Sequence, residues 1–145
     1  MDPFKYDIEG SFGSVVRRAD MALINRLNQH FKDAGYDITT EQYRVLVNLW
    51  NKDGQNQQSL STATRKNKTS MTRLINGLEK RNLVVRVPDK DDQRNKLIYL
   101  TPKGKALPGE LTQLAKKTLH EAQRGITAAE LEACNRVLLK VIENL

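Results

Sequence analysis

Cysteine is nearly missing from this chain: Cys134 is the only one in 145 residues. No internal disulfide can form, and no paired-cysteine metal or redox motif exists. Histidine is almost as scarce. His30 and His120 stand alone, without a second histidine, cysteine or acidic residue at ligand spacing, so a metal sensor is not expected. Two lone histidines also leave little for acid–base chemistry, and no glycine-rich phosphate loop or nucleophile–base pair is present. The sequence therefore predicts neither an enzyme nor a cofactor. No apolar run approaches membrane-spanning length, and the start, Met1-Asp2-Pro3-Phe4-Lys5-Tyr6-Asp7, has neither a basic segment nor an apolar one of signal-peptide type. A cytoplasmic protein without a membrane partner is expected. Aromatics make up only 6% of residues against 28% charged ones, so the core must be mainly aliphatic, which suits a helical protein.

What is abundant is positive charge, and it is unevenly placed. The formal net charge is +7. Between Arg65 and Lys96 there are 10 Lys and Arg against 4 Asp and Glu, a net of +6, whereas the rest of the chain carries 14 against 13. A basic region beside a near-neutral remainder is the footprint of a face that neutralises phosphates and releases their counterions. By length the chain is one domain with room for a real core.

The stretch Lys66 to Asn82 organises the rest. Met71, Leu74, Ile75 and Leu78 recur at i, i+3, i+4 and i+7 and share one helix face. The other face carries Thr69, Thr72, Arg73 and Asn76, flanked by Lys68 and Ser70, with Lys66 just ahead and Asn67 as N-cap. Lysine and a helix N-terminus attract phosphate, short hydroxyls bond to phosphates or base edges, and arginine pairs bidentately with guanine. An ordinary solvated face has the same composition, so the neighbours decide.

Those neighbours are informative. Ser11 to Phe31 places Phe12, Val15, Val16, Ala19, Leu23, Leu27 and Phe31 at helical spacing, ending near Asp33-Ala34-Gly35. Thr39 and Gln42 have capping-box spacing at the start of a second helix reaching about Asn51, apolar nearly all round. Lys52 to Asn56 reads as a turn, and Gln57 to about Arg65 as a short helix with Leu60 and Ala63 facing inward. Short helix, tight turn and second helix with a basic N-terminus make a helix-turn-helix, whose second helix enters the major groove.

After Asn82 the period changes. Leu83 to Val87 and Lys96 to Leu100 are β-rich runs flanking the polar loop Pro88 to Asn95, a hairpin of wing character. Its tip holds Lys90 and Arg94, and such a tip could place arginine in a minor groove. Thr101-Pro102 opens another helix carried to about Arg124, with Pro108-Gly109 kinking or delaying it. Thr127 and Glu130 cap a last helix with Leu131, Cys134, Leu138, Val141, Ile142 and Leu145 as its stripe. The first helix and the last two carry more apolar surface than a small winged core can cover, so a two-fold dimer is expected to bury it.

Three strings then carry a resemblance over nearly the whole chain: Ile38 to Leu46, Ser70 to Arg86, and Asp92-Gln93-Arg94 followed by Leu100-Thr101-Pro102-Lys103-Gly104. Together they resemble the multiple antibiotic resistance regulator (MarR) family of bacterial transcription factors. The resemblance implies a mainly α fold with a small β-wing: one MarR-type domain over 1–145, with the winged helix-turn-helix at about 38–101 and dimerisation helices at about 8–34 and 102–145. It implies a homodimeric repressor on a pseudo-palindromic operator of double-stranded DNA, with recognition helix 68–82 and wing 84–100. Carried over by position, Thr69, Ser70, Thr72 and Arg73 stand where the family contacts DNA. Asp92 and Arg94 match its wing pair, in which arginine reaches the minor groove and aspartate orients it. Gly77 and Asn82 stand where the family more often has arginine and glycine, and Thr64-Arg65-Lys66 is a more polar turn.

The resemblance also implies release from DNA by a small aromatic or anionic effector, or by oxidation of a sensor cysteine. Cys134 does not match the sensor position and is expected to be buried on the last helix's apolar face. Arg17, Arg18 and Tyr43 are candidates for the mouth of an effector pocket, although surface charge and core packing explain them equally well. A winged-helix protein-interaction module, or a non-specific DNA-binding one, is the competing reading. An interaction module has no need for a net +6 confined to one helix and a wing.

Overall fold

A computed structural model describes residues 6–145, so most of the leading segment read above for a targeting signal lies outside the described residues. Helix α1 (Phe12–Asp33) begins at Ser11, whose hydroxyl accepts from the Ser14 amide. It ends in a Schellman closure: the Tyr36 amide donates to the Phe31 carbonyl at 2.8 Å and the Gly35 amide to Lys32. Gly35 sits at φ +87°, the left-handed turn that glycine adopts without steric cost. Helix α2 (Thr40–Asn51) opens with the expected capping box, Thr39 and Gln42 each bonding the other's amide. Val45, Leu46 and Leu49 are fully buried, which puts α2 at the centre of the core.

The turn after α2 hides an element that its composition does not announce. Gln55–Asn56 form a short strand, β1, antiparallel to a strand of the later hairpin. Asp53 helps to hold it there, accepting from the Leu100 amide at 2.9 Å. Asn56 then caps helix α3 (Gln57–Thr64). Leu60 faces the core as expected, but Ala63 is exposed and Ser61 takes the second inward position. The cause is the turn: Arg65 adopts the left-handed conformation (φ 56°) and the Lys66 amide closes onto the Ser61 carbonyl, which brings the next helix across Ser61.

Helix α4 (Lys68–Lys80) is capped by Asn67, whose side-chain oxygen accepts from the Ser70 amide at 2.8 Å. It stops two residues short of the expected 68–82, because Asn82 is left-handed (φ 59°) and the Leu83 amide turns back to the Leu78 carbonyl. Strands β2 (Val84–Pro88) and β3 (Lys96–Leu100) form the hairpin, with Val84 opposite Leu100 and Pro88 opposite Lys96. The sheet order is β1-β3-β2.

The single helix expected from Thr101 to Arg124 is two. Helix α5 (Pro102–Lys105) ends at Ala106, and α6 (Pro108–Ala122) restarts with Pro108 at its first turn. Proline there has no amide to continue α5 but suits an N-terminus. Helix α7 (Ala128–Asn144) carries the predicted Thr127–Glu130 capping box.

Two regions differ in packing. Around α2, α3, α4 and the sheet, Phe31, Val45, Leu46, Leu49, Leu60, Met71, Ile75, Leu78 and Leu111 are fully buried, and Tyr43 lies between Phe31 and Trp50 at ring separations of 5.5 and 6.0 Å. Helix α6 docks on α1 through Leu111 and an ionic cluster, in which Glu121 meets His30 at 2.5 Å and Arg26 at 2.8 Å. Helix α7, by contrast, buries no residue at all.

Gly104 marks the tightest joint between the hairpin and α5. A Cβ there would lie 2.3 Å from the Leu83 carbonyl oxygen, and the Gly104 carbonyl accepts from the Trp50 indole at 2.9 Å. Gly104→Ala is therefore expected to destabilise the fold by about 1–3 kcal/mol, the usual cost of overpacking, in urea unfolding. An unchanged midpoint would show that the joint relaxes freely.

Candidate nucleic-acid interface

The buried side of α4 fixes what its other side presents. Met71, Leu74, Ile75 and Leu78 are at most 3% exposed. With that stripe locked inward, Lys68, Thr69, Arg73 and Asn76 project outward and Ser70 and Thr72 lie half-buried at the edges. Lys68, Thr69, Thr72, Arg73 and Asn76 line one shallow hollow on the surface. Of the helix residues singled out from sequence, only Ser70 lies outside that hollow. Several already have partners.

Thr72 is the clearest case. Its hydroxyl donates to the Lys68 carbonyl at 2.9 Å and accepts from the Gln57 amide at 2.7 Å. Gln57, the first residue of α3, also donates to the Lys68 carbonyl, so this pair sets the angle between the two helices. Asn76 is similarly engaged: its side-chain oxygen accepts from Arg86 at 2.7 Å, while the other arm of Arg86 pairs with Glu79 at 2.9 Å. Arg86 of β2 therefore ties the hairpin to α4. Neither Gln57 nor Arg86 was singled out from sequence. Strand alternation was the available signal for Arg86, because it shares the inward face of Val84.

Glu41, in the first turn of α2, gathers two of the predicted cations. One oxygen accepts from Lys66 at 2.6 Å and the other lies 3.8 Å from Arg73. Lys66 is consequently held half-buried against Glu41, whereas Arg73 is only loosely held and 73% exposed in its side chain. The Lys66 hydrogen bond, with the charges of Lys66, Arg73 and Arg44, holds the Glu41 carboxyl below the ordinary carboxylate range against the opposing effect of burial.

The hairpin tip is built by aspartates. The Asp89 amide donates to the Asn95 carbonyl, and Asp92 accepts from the Arg94 backbone amide at 3.0 Å. Asp92 thus shapes the backbone beneath Arg94 and forms no ion pair with its guanidinium. Lys90 and Arg94 are exposed.

The sensing expectations fare differently. Arg17 and Arg18 lie exposed on the first turns of α1, where Arg18 donates to the Glu9 carbonyl, whereas Tyr43 packs in the core against Phe31 and Trp50. The three do not meet, because Tyr43 packs at the far end of the same long helix. Cys134 is exposed, contrary to the expected burial, since no described residue of the single chain covers that side of α7. His30 is buried, but against Glu121. Among the described residues no group of His, Cys, Asp and Glu could hold a metal ion, and no helix is long and apolar enough to cross a membrane.

A short helix, a three-residue turn, a second helix with a basic N-terminus and a β-hairpin bonded to it define a winged helix-turn-helix protein. Comparison with known proteins agrees. Residues 38–96 match the MarR family. The chain is 29% identical over 139 residues to the HTH-type transcriptional regulator YybA of Bacillus subtilis, covering 96% of this chain and 89% of that one. It is 32% identical over 99 residues to SarZ of Staphylococcus aureus, covering 68% and 66%. Among solved structures it is similar to Bordetella bronchiseptica BpsR, with a TM-score of 0.84, 26% identity and coverage of 94% and 96%. The chain belongs to the MarR family of winged helix-turn-helix transcriptional regulators.

The Glu41 cluster has a pH signature. A carboxyl depressed on folding contributes stability above its unfolded value, near 4.5, and that contribution is lost as pH falls through the folded value. Glu41→Gln should therefore be less stable than the parent at pH 7, with the gap closing below pH 4.5 in denaturant titrations. A gap that stays constant into acid would mean that the pair with Lys66 contributes nothing.

Proposed function

We propose that this regulator binds a pseudo-palindromic operator in double-stranded DNA as a homodimer, acting as a ligand-responsive repressor in the cytoplasm. The observation that carries the reading is the division of α4: one side is sealed into the core, and the other offers Lys68, Thr69, Ser70 and Arg73 beside a capped, amide-rich N-terminus. In this reading α4 enters the major groove and Arg73 reads a base edge, while Lys68, Thr69 and Ser70 hold phosphates. Thr72 keeps α4 at its angle to α3. Asn76 retains its amide nitrogen for DNA while its oxygen anchors Arg86. The wing places Arg94 in the flanking minor groove, with Lys90 on the backbone and Asp92 shaping the tip.

The dimer is supported by what the single chain leaves uncovered. Phe12, Val15, Val16 and Met21 of α1, Leu119 of α6, Val137, Leu139 and Ile142 of α7, and Leu145 just after it are all exposed. Helices α1, α6 and α7 would pair across a two-fold axis and hold the two copies of α4 about one helical turn, roughly 34 Å, apart. The domain then divides as winged module about 38–101 and dimerisation helices about 8–34 and 102–145. An effector reading draws on BpsR, whose DNA binding is regulated by 6-hydroxynicotinic acid. A small aromatic anion is the class of ligand to try here.

Selection from random duplex DNA at about 150 mM salt, where weak phosphate attraction is suppressed, should recover an inverted repeat with half-sites one turn apart. A folded dimer that enriches nothing would instead favour a protein partner or sequence-blind binding. On the selected duplex, Arg73→Ala should cost about 1–3 kcal/mol and relax the preference at one base pair. Equal weakening on every duplex would make it a phosphate contact. Arg94→Ala should weaken binding and lower the salt dependence by about one contact per protomer; unchanged affinity and slope would remove it from the interface.

A further inference from the structure

Among the described residues two carboxylates from outside the helix and wing reach cations of the basic region: Asp37 meets Arg81 beyond the C-terminal end of α4, and Glu41 alone meets the N-terminal, outward-facing part. Glu41 sits in the first turn of α2 and its two oxygens are taken by different cations, Lys66 at 2.6 Å and Arg73 at 3.8 Å. Neither cation comes from its own helix: Lys66 belongs to the turn and Arg73 to α4. The cluster is not sealed from solvent. About a third of the Glu41 and Lys66 side chains is exposed, so an incoming anion can reach both partners. A partly exposed ion pair of this kind contributes little to stability, too little to make folding the main consequence of the arrangement.

The geometry matters more for DNA. Sequence-independent affinity scales with the number of phosphates a protein neutralises. A cation already matched by a carboxylate only exchanges one anion for another when it meets phosphate. Three charges of +1, +1 and −1 therefore act on a duplex as a single positive charge. The other acidic residues near the face are placed differently, with Glu79 on Arg86, Asp37 on Arg81 past the end of α4, and Asp92 on a backbone amide.

We propose that Glu41 is a built-in competitor for DNA phosphate: by holding Lys66 and tethering Arg73 it limits how strongly this face attracts any duplex, whatever its sequence. Resting on the reading of α4 as the DNA-binding helix, this assigns α2 a part in setting DNA affinity. The unequal distances give the two cations unequal roles. Lys66 stays largely bound to Glu41, whereas Arg73 leaves its long contact readily for a base edge.

The test is Glu41→Gln, which keeps the shape and hydrogen-bonding capacity while removing the charge. Binding of wild type and variant to a random-sequence duplex is measured between about 50 and 300 mM salt. The variant should bind more tightly, with a log–log slope steeper by about 0.9 per protomer, equivalent to about fivefold in affinity per protomer at 150 mM. Glu110→Gln, the same charge change at the start of α6 beside Ala34 and Tyr36, should leave the slope as it is. Unchanged or weaker binding by folded Glu41→Gln, with wild type binding normally, overturns the inference alone. A gain matched by Glu110→Gln also overturns it, because total charge would then explain the effect. Absence of duplex binding by both proteins overturns it together with the DNA reading of the face.

Discussion

Everything on the basic face hangs on the burial of four side chains of α4. Met71, Leu74, Ile75 and Leu78 lie on one stripe, and each is removed from water almost completely. At about 1.5–3 kcal/mol for a fully buried aliphatic side chain, that stripe is worth far more than any hydrogen bond on the other face. It therefore decides the rotation of the helix, and the polar residues take the direction that remains. Function in this chain is specified indirectly: a core requirement aims a surface.

Around that fixed helix, polar bonds refine the placement. Gln57 and Thr72 set the angle to α3, and Arg86 clamps the wing through Asn76 and Glu79. Gly77 has a related purpose. A Cβ at that position would lie 2.7 Å from the Gln42 side chain, which belongs to the α2 capping box, so the small residue lets α2 and α4 approach. The same close packing brings Glu41 within reach of Arg73. Hence the basic face is a set of cations sorted by partner, with Lys68, Lys90 and Arg94 outside any ion pair of the described residues.

Much of this was legible in the sequence because it depends on local chemistry. Capping at Ser11, Thr39, Asn67 and Thr127 needs one side chain and the amides of the next turn, so helix starts could be read off directly. The α4 stripe comes from period alone. The features that sequence does not reveal depend on contacts distant along the chain. The strand at Gln55–Asn56 exists only because β3 lies beside it, and Ser61 replaces Ala63 in the core because a left-handed Arg65 redirects the chain. The end of α4 had a local signal in Asn82, a residue that tolerates the left-handed terminating conformation, and the Leu83 amide closing on Leu78 completes it. Residue type identified the candidate site, but pairing did not: Lys66 reads as a free cation until Glu41, 25 positions earlier, is placed against it.

The apolar surface of α1 and α7 completes the argument for a two-fold assembly, because a helix of 17 residues with nothing buried has little reason to persist alone in water. An assembly of that kind makes the spacing of the two α4 helices a property of the protein. Hydroxyl-radical footprinting on a duplex selected by the protein tests this most directly. The account predicts protection related by two-fold symmetry, with two blocks centred about one helical turn apart and a further protected minor-groove edge outside each. A single asymmetric block, or uniform protection along the duplex, would contradict it.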